Sequence, residues 1–273
     1  MFLQDENLMP GRLYKGDPLT PEERAELEED LISFCDRELD LLGDLRGLDV
    51  LYAGGSSVLW LEGLSQRIGE GGSLTALDSY AQRLERAREM LEDADPASPV
   101  RLVAGDVFEP PFGTRAFDLV YSAGLFHELD VRERTAEDAI AALVSVSRPG
   151  GRISTGDFID SVPAVQLEDE AFEAELARET SGKKPYGIGP PERLVASHEL
   201  LLDEVRWRVS PPQDIRHLDG LILAEDEPAS LEILPASVQE RLRQRRESFR
   251  QRVLREGYTR PATLYVEGRV PDA

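Results

Sequence analysis

The stretch LDVLYAGGSSVLWL, residues 48–61, decides the fold. A short apolar run ends in two glycines and two serines, and a second apolar run follows. A buried strand that turns through small residues into a helix is the opening unit of a sheet that cradles a ligand. Small side chains let backbone approach the ligand, and the free N–H groups of the helix start face its anionic part. The dinucleotide form of that turn reads G-x-G-x-x-G, whereas this one reads G-G-S-S-V-L, which argues against a nicotinamide-dependent reductase.

Outward from this turn the pattern alternates. SLTALD (73–78), VRLVAGD (100–106), FDLVYSA (117–123) and GRISTGDF (151–158) are further short apolar runs, and stretches at helical spacing separate them. Tyr80, Leu84, Ala87 and Leu91 mark one helix face; Ile140, Leu143 and Val144 mark another, closed by Arg148-Pro-Gly-Gly. Strands separated by helices imply right-handed crossovers and an α/β, doubly wound, mostly parallel sheet. Such a sheet holds its ligand beyond the carboxyl ends of the strands.

The flanks add elements to this core. Thr20, Pro21 and Glu23 form a capping box with proline at the first helical position, so an amphipathic helix is expected over 20–42. After Phe158 the pattern loosens: a helix near 191–204 leads to a strand at Val205–Val209, and TLYVEGRV (263–270) forms the last strand. The insertion at about 211–258 carries a helix over 236–256 with seven arginines and a thin apolar stripe of Val238, Leu242, Phe249 and Val253. Those arginines call for partners: the acid-rich helix 20–42, a second subunit, or an anionic substrate group. The expected organisation is a single domain over 1–273, with a helical extension (1–46), a ligand-binding core (47–160) and a substrate-side half (161–273).

Composition narrows the function. With 53 acidic against 31 basic residues and a net charge of −22, the chain repels phosphate backbones and anionic lipid, which excludes nucleic acid and membrane surfaces as partners. No apolar run approaches the roughly 18 residues of a membrane span, and MFLQDENL lacks the basic start of an export signal, so a soluble cytoplasmic protein is expected. Lys15, Lys183 and Lys184 are the only lysines, a bias that fits a salt-rich cytoplasm or a GC-rich genome. Cys35 stands alone among apolar helix positions, so no internal disulfide can form and no cysteine-based zinc site exists.

Five segments in order resemble the class I methyltransferases that use S-adenosylmethionine, in particular the small-molecule branch typified by ubiquinone/menaquinone C-methyltransferases. They are LDVLYAGGSSV, IGEGGSLTALD, VRLVAGDVFEPPF, FDLVYSAGLFHEL and SVSRPGGRISTGDF, and together they cover about 48–158. The resemblance implies a seven-stranded Rossmann-like sheet, S-adenosylmethionine as cofactor and a small-molecule acceptor. It implies that Gly54 and Gly55 line the methionine end, that Ser56 belongs to the same cofactor-binding turn, that Asp78 takes the ribose hydroxyls, that Asp106 and the Val107 backbone meet the adenine, and that Ser122 lies beside the cofactor. The departures fall in the first motif: Tyr52 stands where the family has an acid, and Ser56 and Val58 replace its second and third glycines. These departures leave a rival reading, a methyltransferase-like binding or scaffold protein that no longer transfers methyl groups.

Methyl transfer from a sulfonium needs alignment of donor and acceptor and no metal. A hydroxyl or acidic-carbon acceptor also needs a base, for which His127, after the fourth strand, is the candidate. Glu128 and Asp157 are lesser ones, while His198 and His217 have no partner at a recognisable spacing. SGKKPYGIG (181–189) is either a loop that closes over substrate or a solvated connector. A homodimer is among the assemblies left open.

Overall fold

The computed structural model describes residues 19–92, 94, 96–160 and 165–272. Its sheet has seven strands: β1 (Asp49–Ala53), β2 (Ser73–Asp78), β3 (Val100–Ala104), β4 (Phe117–Ala123), β5 (Ser147–Phe158), β6 (Asp203–Ser210) and β7 (Thr263–Arg269). They run in the order β3-β2-β1-β4-β5-β7-β6, parallel except for β7, which is antiparallel to both β5 and β6. The order reverses between β1 and β4, and a doubly wound sheet opens its ligand crevice at that switch point. The export-signal expectation for residues 1–8 falls outside the described residues.

Helices cover both faces. On one lie α1 (Pro21–Leu39), α2 (Val58–Ile68) and α3 (Ala81–Glu92), burying Leu27, Phe34, Leu61 and Leu64 against the sheet; on the other lie α4 (Ala136–Val146) and α6 (Pro191–Glu199), burying Ile140, Leu143 and Leu194. The capping box at α1 forms as expected: Thr20 Oγ1 accepts from Glu23 N while Glu23 Oε2 accepts from Thr20 N. The helix ends at Leu39, with a 3-10 turn over Asp40–Leu42. No helix among the described residues is long and apolar enough to cross a membrane.

Between β5 and α6 lies α5 (Val165–Ser181), and α7 (Leu218–Ala224) and α8 (Ala236–Glu256) fill the insertion. The pairing of α8 differs from expectation. Its arginines meet α5, with Arg241 on Glu175 (2.9 Å) and Glu179 (2.8 Å), Arg245 on Glu175, and Arg252 on Glu168 (2.8 Å). The acids of α1 are met instead by Arg216 and His217 at the start of α7, through Glu26, Glu29 and Asp30. The helix near 191–204 stops at Glu199, and Tyr80 precedes α3, 47% exposed rather than part of its buried face.

Candidate active site

The carboxyl ends of β1, β4 and β5 open into a cavity of about 650 Å³, walled on its far side by α1, α5 and the segment before β7. The turn after β1 forms its floor. Gly54 takes a left-handed φ of +73°, and a Cβ there would collide with Leu125, so only glycine fits. Gly55 is required for a different reason: a Cβ would strike the Tyr52 ring, which stacks on Tyr121 with centroids 5.8 Å apart. Neither Ser56 nor Val58 has a positive φ, and Val58 opens α2 with its side chain buried in the core. The two glycines that remain therefore stand where backbone conformation and packing demand them.

Ser57 is the N-cap residue of α2 but its side chain makes no capping bond, and its buried hydroxyl has no hydrogen-bond partner. It lines the cavity beside Gly55 and Ser56. A buried hydroxyl without a partner is costly in a folded protein, and one at a helix start facing a cavity marks a place for a polar ligand atom. Ser56 Oγ donates to Asp78 Oδ2 at 2.9 Å, while Asp78 Oδ1 accepts from Tyr80 N at 2.8 Å. Asp78 is buried behind Ser56 rather than in the cavity wall, so a ligand hydroxyl would meet Ser56 first.

His127 sits on a 3-10 turn after β4 and faces the cavity. Its Nδ1–H donates to Asp157 Oδ1 at 2.6 Å, and Asp157 Oδ2 accepts from the backbone N–H groups of Phe126 and His127. One carboxylate thus fixes both the turn and the ring. Burial alone would lower the imidazole pKa, but the adjacent Asp157 charge and hydrogen bond, with smaller contributions from Glu170 and Glu128, raise it to about 10. A raised pKa favours the protonated ring, with Nδ1–H held by Asp157 and Nε2 left as the ring atom without a hydrogen-bond partner among the described residues.

Three other expected site residues lie away from the cavity wall. Ser122 Oγ donates to Thr155 Oγ1 at 3.3 Å, and Thr155 bonds His198 Nε2 at 3.0 Å, so Ser122 points to the opposite sheet face, toward α6. The alternation of side chains along β4 explains this, because Tyr121 takes the other face, against Tyr52 and Trp60. Asp106 accepts from Phe108 N at 2.9 Å, capping its own turn, with a 57% exposed side chain 3.6 Å from Arg134. Val107 is buried in the core beside Leu125. His198 is held neutral by burial, its pKa lowered to about 4, and His217 fastens α7 to Glu26.

Several wall residues escaped the sequence reading. Glu38, near the end of α1, reaches the cavity with 6% of its surface exposed. Tyr80 and Arg83 line it beyond Asp78, the guanidinium 4.4 Å from the ring centre. Arg260 lies between the rings of Phe34 (4.2 Å) and Phe158 (5.2 Å). The loop 181–189 is pinned rather than free: Val131 N donates to Lys184 O, Tyr186 N to Leu129 O and Gly187 N to His127 O. Lys183, Pro185 and Ile188 of this loop contribute to the wall.

The methyltransferase domain family matches residues 50–151, from β1 into β5. Residues 50–151 thus form a methyltransferase domain. The ubiquinone/menaquinone biosynthesis C-methyltransferase of Stutzerimonas stutzeri is 34% identical over 137 residues, covering 50% of this chain and 51% of that protein. The chain thus spans about half the length of the curated relatives it matches. Among solved structures, geranyl diphosphate C-methyltransferase from Streptomyces coelicolor superposes with a TM-score of 0.56 at 15% identity, covering 93% of this chain and 88% of its own. The [4+2]-cyclase SpnF shares the fold, with a TM-score of 0.53 at 15% identity and coverage of 87% and 81%. These likenesses extend the class I methyltransferase fold across nearly the whole chain.

Proposed function

We propose that this chain transfers a methyl group from S-adenosylmethionine to a small molecule held in the cavity. The observation that carries the reading is the floor of that cavity: a glycine turn and a buried, unpartnered Ser57 hydroxyl at the start of α2, facing His127 across one continuous space. These residues fit the cofactor. Gly54, Gly55 and the start of α2 would hold its methionine end, and Ser56 with Asp78 behind it would meet the ribose. Asp106 and Val107 remain candidates for the adenine side through their backbone. When bound, the cofactor supplies an electrophilic methyl group on a sulfonium.

The protein's own part is positioning and charge. Asp157 orients His127 so that its Nε2–H can donate to an acceptor oxygen, which stabilises negative charge on that atom and makes an enol or hydroxyl easier to deprotonate. Glu128, whose Oε1 lies 4.0 Å from Nε2, is placed to receive the proton. The relatives support this substrate class, since one is a geranyl diphosphate C-methyltransferase and another a C-methyltransferase of ubiquinone/menaquinone biosynthesis.

The test is turnover. Purified protein incubated with S-adenosylmethionine and pools of small phenols, enols and amines should form S-adenosylhomocysteine above the acceptor-free rate with at least one pool. His127→Gln should lower kcat while leaving cofactor affinity unchanged. Cofactor binding without turnover in any pool would favour the scaffold reading, on a fold that also serves a cyclase.

A further inference from the structure

The first motif has lost its acid, yet the cavity has a buried carboxylate that comes from elsewhere in the chain. Tyr52 occupies the strand position where the family resemblance calls for the acid. Its ring, packed between Tyr121 and Gly55 at the cavity wall, carries no charge and fills the place an acid would take. Glu38 lines the same cavity as Gly54, Gly55 and Trp60, and the electrostatics of Tyr52 are coupled to it.

We propose that Glu38 receives the α-ammonium group of the methionine end of S-adenosylmethionine, so that an acid from α1 stands in for the one displaced from β1. The assignment rests on the functional reading above and deepens it.

Three observations carry it. Glu38 is 6% exposed, and among the described residues it forms no ion pair within 4.0 Å; its hydrogen bond goes to the Tyr265 hydroxyl. A buried carboxylate so placed gains from an arriving cation. It lies in the last turn of α1, where the negative end of the helix dipole also favours positive charge. Burial pushes its carboxyl up to about 7 against the opposing charge of Arg260. An ammonium group would hold it ionised. Arg260, flanked by Phe34 and Phe158 in the same wall, stays close enough to attract the neighbouring α-carboxylate.

The experiment compares two ligands. S-adenosylhomocysteine carries the amino acid end; 5′-methylthioadenosine has the same adenosine and thioether but lacks it. In calorimetric titrations Glu38→Gln should weaken S-adenosylhomocysteine about 10- to 100-fold, the effect of losing one charge-assisted hydrogen bond. Methylthioadenosine affinity should stay within about twofold, and this arm also verifies that the variant cavity is folded. Tyr52→Asp in the Glu38→Gln background should recover at least part of the loss, because it returns the acid to β1. Glu38→Asp, which keeps the charge on a shorter arm, should fall between wild type and Glu38→Gln. Equal weakening of both ligands would overturn the proposal in favour of a packing role for Glu38. So would unchanged S-adenosylhomocysteine affinity in a variant whose wild type binds it. Failure of the wild type to bind either ligand overturns the functional reading itself, and this assignment with it.

Discussion

Replacing Asp157 by asparagine removes one charge and almost no volume, and its consequences can be worked out from the contacts of one side chain. The carboxylate accepts from His127 Nδ1–H and the Phe158 backbone N–H with one oxygen and from the Phe126 and His127 backbone N–H groups with the other. An asparagine has one acceptor oxygen and one NH2, so either the ring or the turn must face a donor. The wild-type His127 pKa of about 10 lies above its unfolded value of 6.5. Its contribution to stability is therefore fully present below pH 6.5 and is lost as pH rises toward 10. That gap corresponds to an upper bound on the order of 5 kcal/mol at about 1.4 kcal/mol per unit. Breaking a buried pair by removing one partner typically costs about 3–5 kcal/mol, which is the expected loss for Asp157→Asn at pH 7. Urea unfolding of both proteins at pH 6, 7, 8 and 9.5 measures it. The wild type should lose its advantage over the variant as pH rises, and its His127 ring proton should keep an imidazolium NMR shift at pH 8. A variant within about 1 kcal/mol of wild type at pH 7, or a difference between the two that does not shrink with pH, would refute the reasoning.

Three further outcomes are expected. Gly55→Ala should destabilise the fold by about 1–3 kcal/mol because its Cβ meets the Tyr52 ring; Tyr52→Leu, made in the same chain, should recover much of that loss, and additive effects in thermal unfolding would count against the contact. Ser56→Gly should tighten S-adenosylhomocysteine binding by freeing Asp78 Oδ2, whereas a clear loss of affinity in a titration would mean that the hydroxyl itself supports the ligand. Glu175→Gln removes a charged partner shared by Arg241, which keeps Glu179, and Arg245, and denaturation should show a cost of about 1 kcal/mol at low salt that shrinks in molar potassium chloride; a salt-independent cost would point to packing instead.

The strands were legible because a sheet buried on both faces leaves short apolar runs between turns, and β2, β4 and α8 match their expected bounds. Helix α5 was not legible. Two of its buried positions are polar: Gln166 Nε2 donates to Thr259 Oγ1, and Asp169 accepts from the Tyr258 hydroxyl. Partners about 90 positions away satisfy these groups and erase the apolar period that a local reading depends on. The site divides in the same way. Gly54, Gly55, Ser56 and His127 reach the cavity as their neighbours in the chain imply. Ser122 does not, because strand alternation turns it to the other face, and Glu38 was missed because a glutamate in an acidic amphipathic helix reads as solvated surface. The partnership of His127 and Asp157 spans 30 positions and needed the β4–β5 pairing to appear. The two missing glycines, which cast doubt on the first motif, correspond to positions with no positive φ.

The central claim is that the turn at 54–57 still holds an adenosyl cofactor, and isothermal titration of the folded protein with S-adenosylhomocysteine tests it most directly. The titration should be run at low and at molar potassium chloride, because a net charge of −22 strains the fold at low salt. The account predicts saturable one-to-one binding with a Kd of about 1–100 μM, weakened at least tenfold by Asp78→Ala with the fold intact. Absence of binding at both salt concentrations, by protein whose thermal unfolding is cooperative, would contradict it.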